Sequence, residues 1–518
     1  MKSNINQLKN LVILLTEITA ILLMVFNILP RELSWFLTGL LIFYFIFSPL
    51  EDSLWVFIAS IPLFVALPIK EGFDTLANWR ILSIVLFLVL FFRYGISINL
   101  IKDSFGKWRL KEKFEHYRME YLSLIFIAIS FISILVAENA WIGLKKIIFL
   151  INASLIYIII RNLAFRNKNI FNKIYNAVKV AIGITLGAGF LQLIIVFFIN
   201  LHQFWYLWDL HVINVYYGQA LSNLLSYSNT WFSYYLYQLP TLRMFSIFPD
   251  SHSFAMFCLL SLPFFWILIF LRKQKNRIKV ILSYLLLIFC FLGIIFSGSR
   301  GAWVSAICSL LIVLFFIFKL YKNYKKQTQL ILGSFLIFII LFPIASAILF
   351  LPQYIQLGDE ATMGISFFER TRSMFDFMET SVKGRLEIWQ RTIDSIIIHP
   401  FFGVGIGNYP LILNEGLYTA KMGSSAHSLY LNFASEIGIF GLLILLAMFW
   451  YILKDAWQIF NKANKSFLQV WAGFFIIALI WIMGYSLFDV VLLNDKVFLF
   501  FLINLGILYG TKSSISFN

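Results

Sequence analysis

Apolar runs recur along almost the whole chain, divided by short polar stretches. They fall at 11–29, 33–49, 54–69, 80–97, 120–137, 146–161, 177–200, 252–271, 280–297, 302–318, 329–351, 433–453, 467–487 and 495–511. A helix needs about 20 mostly apolar residues to cross a bilayer. Each run is that long or close to it, and a helix satisfies its backbone polar groups within the segment, as lipid demands. The pattern predicts an all-α polytopic membrane protein with about 12–14 transmembrane helices. Tight hairpins are expected around Pro30 and around Glu51-Asp52. No small-residue cleavage site follows the first run, so a retained first helix is expected.

Two stretches break the rhythm. Residues 201–251 are rich in aromatics, among them Trp205, Trp208, Tyr216, Tyr217, Trp231, Tyr234, Tyr235 and Tyr237. Residues 352–432 form the longest segment that is not plainly membrane-spanning. The chain therefore divides into N-terminal transmembrane helices (1–200), an aromatic-rich loop (201–251), transmembrane helices with a Ser-Arg-Gly turn (252–351), a large helical loop (352–432) and C-terminal transmembrane helices (433–518). The aromatics suit an interfacial belt, with sugar stacking as the alternative.

Composition agrees with the pattern. The chain is 61% hydrophobic and 13% charged, whereas soluble domains are about half apolar and about a quarter charged. The net charge of +16 would suggest nucleic acid in a soluble protein. Its distribution argues otherwise. With the N-terminus inside, 27 of the 41 lysines and arginines fall in the inside segments, and Arg272, Lys273, Lys275, Arg277 and Lys279 lie within eight residues. This is the positive-inside pattern. It predicts cytoplasmic N- and C-termini, two long loops on the opposite face, and no nucleic acid partner. The three cysteines, Cys258, Cys290 and Cys308, lie in apolar runs without metal-ligand spacing.

Cations on the outward face need a reason. Segment 386–398 reads as a helix, with Leu386, Trp389, Ile393, Ile396 and Ile397 at helical spacing and Pro400 as its stop. On it Arg391 can pair with Glu387 and Asp394, and upstream Arg372 with Asp376 and Glu369. Arg385 has no acid at plus three or plus four. Arg300 sits in Phe296-Ser297-Gly298-Ser299-Arg300-Gly301, and no acid occurs between Lys279 and Lys319. A Gly/Ser turn, a helix start and a guanidinium suit an anion; lipid headgroups are the competing partner. Arg243 can pair with Asp250 or contact a ligand. His427 opens a span, where an imidazole can serve structure or act as a general base. His399 is expected to end a helix. Gly403-Val404-Gly405-Ile406-Gly407 lacks the spacing and the strand–helix context of a phosphate loop and reads as a turn.

These residues in order, Ser299-Arg300-Gly301, Gly384-Arg385 with Trp389, His399-Pro400 with Gly403 to Tyr409, Ala426-His427-Ser428 and Glu436-Ile437-Gly438-Ile439-Phe440-Gly441, resemble the O-antigen ligase/Wzy-type polymerase superfamily over about 240–445. Protein O-oligosaccharyltransferases share the motif. The resemblance implies a GT-C-like membrane glycosyltransferase of the inner, or cytoplasmic, membrane, active on its periplasmic or extracellular face. It would take a glycan from undecaprenyl pyrophosphate and pass it to a hydroxyl of lipid A core or of another lipid-linked glycan. It implies no cofactor and no metal. Arg300 and Arg385, with Arg243, would hold the donor pyrophosphate, and His427 would activate the acceptor. A polysaccharide flippase or transporter is the rival from another class; its spans should carry midplane polar sites, which this sequence scarcely offers.

Overall fold

The computed structural model describes residues 2–70, 74–95, 110–167, 170–225, 230–235, 238–270, 277–357, 380–414, 425–462 and 467–515. The apolar runs are helices. In chain order these are α1 (Lys2–Val25), α2 (Leu33–Phe47), α3 (Leu50–Ala59), α4 (Trp79–Tyr94), α5 (Leu110–Ser133), α6 (Ala140–Arg166), α7 (Ile170–Ile195), α8 (Leu201–Leu207), α9 (Asn214–Tyr217), α10 (Gln219–Leu225), α11 (Ser251–Phe270), α12 (Arg277–Phe296), α13 (Arg300–Leu357), α14 (Thr380–Ile398), α15 (Leu429–Lys462), α16 (Phe467–Tyr485) and α17 (Asp495–Ile515). Two small antiparallel hairpins pair β1 (Ala66–Leu67) with β2 (Leu76–Ala77), and β3 (Phe232–Tyr235) with β4 (Gln238–Leu242). Among the described residues, seven helices are long and apolar enough to cross a membrane, and shorter apolar helices accompany them. The protein is an all-α polytopic membrane protein.

One expected span is not a single helix. The run 54–69 leaves α3 at Ala59, makes a 3-10 turn over Ile61–Leu63 and enters β1. Pro62 cannot continue an α-helical hydrogen-bond ladder from within it. The segment is apolar because it is buried within the protein: Val56 to Leu67 are almost entirely inaccessible. Conversely, α13 is continuous over 58 residues, yet the rings of Trp303 and Phe342 lie 4.7 Å apart. A straight helix rises about 1.5 Å per residue, so α13 must double back between them. Its two apolar arms correspond to the runs 302–318 and 329–351.

The chain forms two compact units. The first contains residues 1–82, 172–376 and 477–485. Its aromatic segment builds its own core. Trp231 stacks on Phe245 at 4.7 Å, Phe204 stacks on Trp208, and Trp231 Nε1 donates to Pro249 O at 2.9 Å. Trp208, Tyr216 and Trp231 are therefore packing residues, where a belt or a sugar platform was expected. Asp74 ties the segment down: its carboxylate accepts from Arg31 Nη1 at 2.9 Å and from the Gln219 N–H at 2.6 Å, at the start of α10.

The second unit contains residues 83–171, 377–476 and 486–518. In it α17 packs closely along α6. A Cβ on Gly506 would meet Ile160 Cβ at 2.8 Å, and one on Gly510 would meet Ala164 Cβ at 2.5 Å. Small residues permit this backbone approach in membranes. At one end Asp455 pairs with Arg118 at 3.2 Å and with Lys512 at 2.9 Å.

Candidate functional site

Arg243 and Arg300, 57 positions apart in sequence, come together in the first unit. The chain after β4 is fixed from three sides. Gln192 of α7 accepts the N–H groups of Phe245 and Ser246 and donates to Ser246 O. Ser246, at φ 55°, donates its hydroxyl to Thr185 O. The Met244 N–H donates to Phe296 O at the end of α12. Arg243 is thereby held against the turn Ser297-Gly298-Ser299-Arg300. Gly298 has φ 66°, and a Cβ there would lie 3.1–3.3 Å from the Arg243 side chain. Its left-handed backbone favours glycine, and the arginine lies close across it. Arg243 Nε donates to Ser233 Oγ at 3.0 Å.

Ser299 caps α13. The Trp303 N–H donates to its carbonyl at 3.3 Å, and its hydroxyl meets Tyr485 OH at 2.7 Å. Tyr485 is fully buried and also donates to His252 O at 3.3 Å. Arg300 occupies the first helical position. The arrangement places Arg243 against the turn from which Arg300 opens a helix, and a helix start with arginine is a setting suited to phosphate. Tyr485 was not marked in the sequence, where it is one more aromatic at the end of an apolar run.

In the second unit Trp389 links α14, which carries Arg385, to the turn that carries His427. Trp389 Nε1 donates to Ala426 O at 2.9 Å, fixing the residue before His427. Arg385 lies one turn earlier on the same face of α14. Among the described residues Arg385 forms no hydrogen bond or ion pair, as its sequence neighbours suggested. Arg391 departs from expectation: it is exposed and makes no ion pair with Glu387 or Asp394. On a solvated helix face such pairs are worth only about 0.2–0.5 kcal/mol. The pairing expected of Arg372 lies outside the described residues.

His427 has φ 45°, the left-handed region that side-chain-bearing residues enter rarely. It is half-buried. The Ala426 N–H donates to Asn432 Oδ1 at 3.3 Å, and the Leu429 N–H to Ser486 O at 2.8 Å. These bonds on either side hold the turn.

The glycine-rich segment is a structural turn. α14 ends at Ile398, where the His399 N–H donates back to Ser395 O. Gly403, Gly405 and Gly407 all have positive φ. A Cβ on Gly403 would lie 2.2 Å from Ser435 O, and one on Gly405 2.4 Å from Ala137 Cβ. Asn408, fully buried, accepts the Asn139 N–H at 3.0 Å. Thr392 Oγ1 meets Tyr409 OH at 2.7 Å. Beneath the turn Lys146 Nζ bonds both carboxylate oxygens of Glu436, at 2.6 and 2.9 Å. A lysine and a glutamate standing within two separate apolar runs were the available signal for this pair.

No curated protein matches the chain. Residues 285–446 match the O-antigen ligase family model, a segment that includes Arg300, Arg385 and His427 but not Arg243. With its apolar helices, the chain is thus a multi-pass membrane protein in which residues 285–446 are similar to the O-antigen ligase family.

Proposed function

We propose that the protein transfers a glycan from undecaprenyl pyrophosphate to a hydroxyl of lipid A core or of another lipid-linked glycan, on the periplasmic or extracellular face, with inversion and without a metal. The observation that carries this reading is Arg243 lying across Gly298 beside Arg300 at the start of α13. The resemblance assigns Arg300, Arg385 and Arg243 to the pyrophosphate. Each can present two parallel N–H donors to phosphate oxygens. The acceptor oxygen attacks C1 of the donor sugar and passes its proton to the His427 imidazole. A bond forms between that oxygen and C1, the bond from C1 to the pyrophosphate oxygen breaks, and its electron pair leaves on the pyrophosphate. The arginines stabilise the charge that develops there. A general base typically contributes about 10²–10⁴-fold.

The test is transfer by the purified protein from a defined undecaprenyl-pyrophosphate oligosaccharide, in EDTA, with a lipid A-core acceptor, a second lipid-linked glycan and a Ser/Thr peptide compared. Glycosylated product from either of the first two supports the proposal. Transfer to the peptide alone would make it a protein O-oligosaccharyltransferase, and donor translocation without transfer would make it a flippase.

A further inference from the structure

The helix α14 has three faces. Arg385, Trp389, Thr392 and Ile396 share one, and Trp389 and Thr392 bind it to Ala426 and Tyr409. Lys383, Glu387, Arg391 and Asp394 share a second and are exposed. Between these two faces runs an apolar stripe. Leu386, Ile393 and Ile397 are 50%, 47% and 70% exposed, and Phe401, just past the helix, is 59% exposed. Helical spacing puts the three on one line.

Two observations say what covers this stripe. The turn that follows α14 is seated on the adjoining ends of α5 and α6. Ser133 Oγ accepts the Ile406 N–H, Gly405 abuts Ala137, and Gly407 abuts Ile142. Residues 115–136 and 140–166 are candidate membrane spans, so the turn stands at a membrane boundary. Phe401 also stacks on Phe440, with centroids 6.0 Å apart. From Phe440 the exposed row continues through Leu443, Leu446 and Trp450 of α15, along the candidate span 429–461. The stripe on α14 thus continues the lipid-facing surface of a membrane span.

We propose that α14 is an interfacial helix whose Leu386–Ile393–Ile397–Phe401 stripe is embedded among the acyl chains of the bilayer. Its charged face lies toward headgroups and water, the arrangement of amphipathic helices in the plane of a membrane surface. The face carrying Arg385 is then held at headgroup depth. A phosphate on a lipid carrier reaches Arg385 by lateral diffusion, without leaving the membrane. The embedding stands whether or not the proposed transfer occurs.

The test uses the full-length protein in phosphatidylcholine–phosphatidylglycerol vesicles. Cys308→Ser removes the exposed thiol, while Cys258 and Cys290 are buried. Spin labels go at Ile393→Cys and Ile397→Cys, with Glu387→Cys and Arg391→Cys as references. Each label's collision rates with oxygen, which concentrates in lipid, and with a water-soluble nickel chelate are measured. The oxygen-to-chelate ratio should be several-fold higher on the stripe than on the charged face. Equal ratios on the two faces would put the helix in water and overturn the proposal. Stripe labels shielded from both reagents would mean that protein covers them, which also overturns it.

Discussion

Lys146 and Glu436 offer the sharpest energetic test, because the two partners of one ion pair are buried unequally. Glu436 is 2% exposed and Lys146 26%. Removing one partner of a buried pair costs about 3–5 kcal/mol, because the other charge is left without compensation. Lys146→Met strands a carboxylate that cannot reach water, so the full range of about 3–5 kcal/mol applies. Glu436→Gln strands an ammonium on a long, partly exposed stem that can swing out toward headgroups, and the glutamine still accepts a hydrogen bond. Its cost should be about 1–2 kcal/mol, that of a weakened hydrogen bond. Replacing both, Lys146→Met with Glu436→Leu, removes both charges and should fall within about 1–2 kcal/mol of wild type. The assay is equilibrium unfolding in bicelles, with all four proteins in one lipid mixture. A Glu436→Gln variant as unstable as Lys146→Met, or a double variant worse than either, would refute the argument from unequal burial.

Four further outcomes are expected. Gly438→Ala puts a Cβ 2.0 Å from Phe401 O at φ 74°, ψ −174°, backbone that only glycine adopts readily; strain of about 1–3 kcal/mol and overpacking of about 1–3 kcal/mol should lower the unfolding midpoint, and an unchanged midpoint would show that the turn yields easily. His427→Ala should insert normally but lose transfer by at least about 10²-fold; near-normal polymer in a complemented deletion strain would remove it from the reaction. Arg300→Lys should keep fold and charge but lose most turnover, because lysine cannot present the guanidinium fork; wild-type donor turnover would refute it. Burial pushes the Asp74 carboxyl upward, but bonds from Arg31 and the Gln219 N–H outweigh it and hold the group below its ordinary value. Its stabilising contribution is then present above the unfolded value of about 3.9 and lost as pH falls through the lower folded value; amide exchange at Gln219 and Ala220 should rise only in that acid range in wild type, but already at neutral pH in Asp74→Asn.

The apolar runs by themselves determined the fold class. Lipid offers no hydrogen-bond partners, so a long apolar segment has little choice but helix. Local geometry was legible for the same reason: Pro400 marked the end of α14, and the spacing of Gly403 to Gly407 marked a turn. The lack of any acid between Lys279 and Lys319, and of one at plus three or plus four from Arg385, singled out Arg300 and Arg385 without any knowledge of contacts.

Tertiary structure decided the rest. Burial within the protein and burial in lipid leave the same apolar signature, so Ile61 to Leu67 read as part of a span although it is a folded-in turn and strand. For the same reason Trp208 and Trp231 read as interface residues although they are core. The contact of Arg243 with Gly298 depends on Gln192 and Thr185 holding a loop from far away in sequence. The left-handed backbone of His427 and the hydroxyl link from Ser299 to Tyr485 likewise arise only when separate helices meet. No periodicity records them, because each is made by packing between segments rather than within one.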